Sequence, residues 1–65
     1  MSPNETIIHA VLYDRYRFGR YWTNLDELSE ETRIKKSTLN STLHRMMKKG
    51  LIDLFRNKGI MINRV

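Results

Sequence analysis

The segment 35–50 carries basic and hydrogen-bonding side chains and no carboxylate. Helical spacing places Leu39, Leu43, Met46 and Met47 on one side of this segment. The opposite side then offers hydrogen-bond donors and positive charge, with nothing that repels phosphate. An α-helix fits the major groove of B-form DNA, where each base pair presents a distinct pattern of donors and acceptors. The segment is therefore predicted to be a helix that reads duplex DNA.

Individual side chains on this predicted helix suit different parts of the nucleic acid. Asn40 matches the edge of adenine and Arg45 that of guanine, because each can form two parallel hydrogen bonds there. Lys36 and Ser37 lie at the positive N-terminus of the helix, where phosphate binds favourably. The full set of predicted DNA contacts includes two residues of a later turn and consists of Lys35, Lys36, Ser37, Thr38, Asn40, Ser41, His44, Arg45, Lys48, Arg56 and Lys58.

Other kinds of chemistry find little support in the sequence. There is no cysteine, so neither a disulfide nor a thiolate metal ligand is available. His9 and His44 are too few for a self-contained zinc site. No nucleophile with a matching base and no glycine-rich phosphate loop is present. The prediction is a protein with no catalytic residues, no metal and no cofactor, and therefore not an enzyme.

The distribution of charge points to the same partner. Twelve Lys and Arg residues against seven Asp and Glu residues give a net charge of +5. Residues 1–32 carry three basic and six acidic side chains, whereas residues 33–65 carry nine basic side chains and one acidic side chain. A domain that segregates charge in this way presents a cationic surface, and the phosphates of nucleic acid are its commonest partner.

The length of 65 residues sets the organisation of the chain. It is enough for one small domain, predicted to span residues 1–65, with a core near the lower limit for independent stability. No apolar run approaches the roughly 18–20 residues that cross a bilayer, and the first residues lack a signal-peptide pattern. The predicted location is the cytoplasm, or more broadly the inside of a cell, on the DNA of a nucleoid or of a host, with no membrane contact.

The elements that hold the predicted contacts begin with a helix near Pro3. Ser2 and Glu5 have the spacing of a capping box, and Pro favours the first helical position. Gly19 is a natural end for this helix. Its inward side is expected to carry Ile7, Ile8, Val11, Leu12 and Phe18.

The remaining predicted elements follow one another along the chain with short connections. A strand at Tyr21 and Trp22 is followed by a second helix that starts within 23–26 and ends near Thr32. A turn at 33–35 leads to the third helix, about 36–49. Strands at 51–55 and 60–65 enclose a turn at 56–59. The predicted fold is mostly α with a small β-hairpin, in the order helix, short strand, helix, helix, strand, strand.

Two stretches make the chain similar to a known superfamily. Residues 23–29 read TNLDELS and residues 43–52 read LHRMMKKGLI. They resemble the T-x-x-E-L-a and L-x-x-L-x-x-x-G-L-I segments of winged helix-turn-helix regulators of bacteria and archaea. The resemblance implies a sequence-specific, double-stranded DNA-binding protein that regulates transcription. It further implies that helix 3 enters the major groove and that Arg56 and Lys58, on a short wing at 56–59, contact the neighbouring minor groove or its phosphates. The sequence departs from the pattern at Lys35, where a small capping residue is usual.

The aromatic segment 13–22 leads to a prediction about assembly. Tyr13 falls on the polar side of helix 1, and the hairpin is apolar on both faces, so a second subunit is expected to provide cover. A homodimer is predicted, with Tyr13 and Tyr16 in its interface. Three alternatives remain open at this stage: replication initiation or DNA organisation in a mobile element, a winged helix that docks proteins or RNA, and stacking of single-stranded bases on these aromatics.

Overall fold

The computed structural model describes residues 2–19, 22–55 and 59–63. In these ranges the chain forms three helices and a small antiparallel sheet, which confirms the predicted mostly helical fold with a β-hairpin. The elements in chain order are α1 (Pro3–Arg17), α2 (Leu25–Thr32), α3 (Lys36–Lys48), β1 (Ile52–Phe55) and β2 (Gly59–Ile62).

The start of α1 is the predicted capping box. The Glu5 backbone N–H donates to the Ser2 hydroxyl at 3.3 Å, and the Ser2 backbone N–H donates to the Glu5 carboxylate at 3.2 Å. The start of α2 is capped by Asn24, whose side-chain oxygen accepts from the Glu27 N–H at 2.8 Å. This leaves the backbone of Thr23 free to pair elsewhere.

Thr23 connects the segment before α2 to the hairpin. Its backbone N–H donates to the Ile60 carbonyl at 3.1 Å, and the Ile60 N–H donates back at 2.8 Å. In the hairpin itself, Ile52 lies opposite Ile62 and Phe55 opposite Gly59. The prediction of a strand at residues 21 and 22 was wrong for Trp22, and Tyr21 lies outside the described residues. The segment pairs with the hairpin one residue later, through the single bridge between Thr23 and Ile60.

The core lies where α1, α2, α3 and one face of the hairpin meet. The residues buried there are Ile8, Leu12, Leu28, Leu39, Leu43, Met46, Ile52, Ile60 and Ile62. Three residues assigned to inward faces from the sequence are instead exposed: Ile7 by 44%, Met47 by 38% and Phe18 by 72%. The inward arc of α1 is narrower than predicted because polar side chains, Glu5 and Arg15, occupy part of it.

Both of those polar side chains are held by ion pairs. Arg15, whose side chain is only 10% exposed, pairs with Glu27 and Glu31 of α2. Glu5, itself 3% exposed, accepts a hydrogen bond from the Lys49 ammonium at 2.9 Å. The Lys49 hydrogen bond, together with those from Ser2, lowers the pKa of Glu5 from 4.5 to about 2 despite its burial. These pairs attach α1 to α2 and to the end of α3.

Candidate nucleic-acid interface

Helix α3 has one side in the core and one side in solvent. Leu39, Thr42, Leu43 and Met46 are buried, and their spacing of three and four residues fixes the rotation of the helix about its axis. The predicted contact residues of this segment are all exposed: Lys35, Lys36, Ser37, Thr38, Asn40, Ser41, His44, Arg45 and Lys48. The structure therefore brings these nine onto one continuous surface, which we call the outer face of α3.

The ion pairs separate the basic residues of this region into two groups. Lys36 is paired with Asp26 of α2, and Lys49 with Glu5 of α1. Within the described ranges, Lys35, Lys48 and Arg45 have no carboxylate within ion-pair distance. The positive charge of the outer face is thus concentrated at its two ends, at Lys35 before the first turn and at Arg45 and Lys48 in the last.

The N-terminus of α3 has no side-chain cap. The N-cap position is Lys35, which makes no capping hydrogen bond, and the first turn contains no acidic residue. The first N–H groups of a helix have no partner inside it and carry a partial positive charge. An anion that approaches this end would meet free N–H donors together with the ammonium of Lys35.

His44 lies near the centre of the outer face and is oriented by the helix itself. Its Nδ1 is 2.8 Å from the carbonyl oxygen of Asn40. A carbonyl has no proton to give, so Nδ1–H donates and Nε2 of the neutral ring presents a lone pair to solvent. In this tautomer His44 can accept a hydrogen bond from a base amino group.

Two more of the polar side chains on this face interact within the helix. The Arg45 guanidinium donates to the buried Thr42 hydroxyl at 3.3 Å, and the Ser41 hydroxyl donates to the Ser37 carbonyl at 3.3 Å. The first contact holds Arg45 at one edge of the outer face, on the side of Thr42. Asn40 lies at the other edge, beside the hairpin.

An open depression of about 340 Å³ separates α3 from the hairpin. It is lined by Asn24, Leu25, Asn40, Leu43, Leu54, Gly59 and Ile60. Leu54, Gly59 and Ile60 of the hairpin strands therefore lie on the same side of α3 as Asn40. The predicted wing contacts, Arg56 and Lys58, lie outside the described residues.

The two predicted interface tyrosines have different environments. Tyr13 is 51% exposed on the outer side of α1. Tyr16 is half-buried and packs against the core. The structure therefore leaves Tyr13, and not Tyr16, on the open surface of this helix.

Sequence reasoning missed two contributors to this region. Arg33 is exposed in the turn before α3, has no carboxylate within ion-pair distance among the described residues, and has a left-handed backbone with φ of 61°. The sequence signal that could have identified Arg33 was its basic side chain, two positions before the predicted contact Lys35. Asp26, which pairs with Lys36, gives no local signal, because the contact depends on how α2 and α3 pack.

Among the described residues, no three His, Asp or Glu side chains are grouped closely enough to hold a metal ion. No helix in the described ranges has both the length and the apolar character needed to cross a bilayer. Comparisons with protein-family models, curated proteins and solved structures find no significant match for this chain.

Proposed function

We propose that this chain is a small winged-helix protein that binds double-stranded DNA, with α3 in the major groove and the hairpin as the wing. The observation that carries the proposal is the outer face of α3, which is exposed and polar and has no carboxylate among its own residues. Asp26 of α2 pairs with Lys36 at the first turn of α3. The connection of α2 to α3 by the three residues 33–35 fits a helix-turn-helix, and the hairpin follows α3 directly.

The outer face offers two kinds of contact. Lys35, Lys48 and the free N–H groups at the start of α3 suit phosphates, which position a protein on DNA without reading its sequence. Asn40, His44 and Arg45 suit base edges, which carry the sequence information. A helix with both kinds of contact supports site-specific binding.

The biological role that we assign to this binding is regulation of transcription. A domain that occupies a specific DNA site regulates transcription by blocking or recruiting other proteins there. Replication initiation and DNA organisation would use the same contacts. Depletion of the protein separates these roles: a regulator changes transcripts next to its binding sites, whereas an initiator changes DNA copy number.

The test of DNA binding uses two neighbouring lysines. Lys48 has no carboxylate partner in the described part of the chain, whereas Lys49 is bound to Glu5 on the other side of α3. Lys48→Gln and Lys49→Gln produce the same net charge, so a difference between them reports the position of the charge. Each phosphate neutralised contributes about −0.9 to the slope of log K against log salt. We expect Lys48→Gln to make the slope shallower by about 0.9 and Lys49→Gln to leave it unchanged.

Fluorescence anisotropy with a labelled duplex, from low to high salt, measures both slopes, and circular dichroism checks that both variants are folded. Equal slopes for the two variants would contradict a contact surface centred on α3. Competition by duplex RNA as strong as by duplex DNA would contradict major-groove readout, because the major groove of RNA is too narrow for a helix.

A further inference from the structure

The outer side of α1 carries a pattern that the DNA-binding proposal does not use. Its exposed positions include Pro3, Thr6, Ile7, Ala10 and Tyr13, which we call the outer stripe of α1. None of the five is charged, although the chain as a whole has a net charge of +5. Ile7 and Tyr13 are 44% and 51% exposed, which is unusual for large side chains so close together on a solvated helix.

The spacing of the exposed positions repeats every seven residues. The exposed residues 3, 6 and 7 are followed seven positions later by the exposed residues 10, 13 and 14, of which the last is Asp14. A seven-residue repeat lets two helices pack side by side along their whole length. The inner side of α1 already packs on the core, so the repeat on the outer side is available for another helix.

The pattern is also symmetric about Ala10. If two copies of α1 pack antiparallel with their Ala10 residues in contact, Ile7 of each helix faces Tyr13 of the other. Thr6 of each then faces Asp14 of the other. A small residue at the centre allows close approach, and the large residues lie on both sides of it.

We propose that the outer stripe of α1 is the interface of a two-fold symmetric homodimer with antiparallel α1 helices. Charge favours the antiparallel over the parallel arrangement. Parallel packing would bring the two Asp14 carboxylates together and the two Arg17 guanidinium groups together, whereas antiparallel packing separates each like-charged pair. Arg17, the next exposed position, lies over the ring of Phe18 at 5.9 Å.

The size of the stripe sets the strength of the dimer. From residue 3 to residue 14 the helix advances about 17 Å, and a helix is about 10 Å wide. Such a footprint is well below the roughly 800 Å² per partner of a standard stable interface. A footprint of this size predicts a weak dimer that exchanges with monomer.

The absence of cysteine from the chain makes a direct test possible, because one engineered thiol reports one position. In the proposed dimer the Cα atoms of the two Ala10 residues are about 4–6 Å apart, within the range that a disulfide spans. The two Thr6 residues are about 12 Å apart along the axis, beyond that range.

Under mild oxidation by copper phenanthroline, Ala10→Cys should form a linked dimer at least about tenfold faster than Thr6→Cys, the matched control on the same stripe. The double variant Thr6→Cys with Asp14→Cys should also link rapidly. Rapid linkage of Thr6→Cys alone would overturn the antiparallel register.

Sedimentation equilibrium of the unmodified protein gives a second, independent readout. The average mass should rise above the 7.8 kDa of the monomer as concentration increases. Ile7→Glu with Tyr13→Glu should keep it at the monomer value, whereas Met47→Glu, a similarly exposed apolar residue on α3, should not. A monomer mass for the unmodified protein up to millimolar concentration, with slow linkage of Ala10→Cys, would overturn the dimer. Neither measurement involves DNA, so failure here is distinct from failure of the proposed function.

Discussion

Replacement of Gly59 by alanine should break the attachment of the hairpin to the segment before α2. Gly59 has φ of 109°, and a Cβ added there would lie 2.2 Å from the Thr23 carbonyl oxygen. That oxygen accepts the Ile60 N–H, so the clash displaces both hydrogen bonds between Thr23 and Ile60. Two backbone hydrogen bonds at about 1 kcal/mol each, with about 1 kcal/mol for the positive φ, predict a loss of about 3 kcal/mol in unfolding free energy.

Gly50 provides the matched control for this experiment. It has φ of 78°, but nothing lies within 4 Å of the position where its Cβ would be. Gly50→Ala should therefore lose only about 1 kcal/mol, the conformational part of the effect. Urea unfolding followed by circular dichroism, with thermal unfolding alongside, measures both variants; each kcal/mol corresponds to a fall of about 4–8 °C in Tm for a domain of this size. Equal losses for the two variants would refute the reasoning, because the steric contact with Thr23 would then contribute nothing.

Two further predictions concern other residues. The pKa of Glu5 is lowered to about 2 in the folded protein, so its stabilising contribution is complete above pH 4.5 and is lost as the pH falls towards 2. Glu5→Gln should therefore flatten the fall in unfolding free energy over that pH range. An unfolding free energy that depends on pH as in the unmodified protein would argue against the pair with Lys49. Arg33→Gly should raise the unfolding free energy by up to about 1 kcal/mol, because glycine adopts the left-handed conformation without cost, and it should weaken DNA binding. Arg33→Ala should weaken DNA binding without that gain in unfolding free energy. A gain of equal size for alanine would show that the positive φ is not the cause.

The helices were predictable from the sequence because their ends have local chemical signals. The capping box at Ser2 and Glu5 and the glycines at 19 and 50 mark boundaries through the conformations of single residues. The predicted turn at 33–35 lies between the end of α2 and the start of α3. The buried row of α3 followed from its period, apart from Met47, which is exposed, and Thr42, which is buried and was not predicted.

The errors arise where a helix ends and where contacts join residues that are distant in the sequence. Phe18 was assigned to the core by helix periodicity, but the helix ends at Arg17, so periodicity no longer fixes the direction of the next side chain. Thr23 was predicted to belong to the start of the second helix, but its backbone pairs with Ile60, which is 37 residues away. The partners of Lys36 and Lys49 depend on how the helices pack, and no local pattern contains that information.

The internal ion pairs also affect how the molecule moves in an electric field. Glu27, Glu31, Asp26 and Glu5 are each engaged by a basic residue of the same chain. Among the described residues, the charge without such a partner is positive along 33–48 and at Arg17, and negative at Asp14, Glu30 and Asp53. Most of the unpaired positive charge therefore lies on and before α3, and the unpaired negative charge lies on other elements. Such a molecule has a dipole as well as a net charge, and a polyanion exerts a torque on it before contact. Rotation of the basic side towards the polyanion during approach raises the fraction of encounters that are productive.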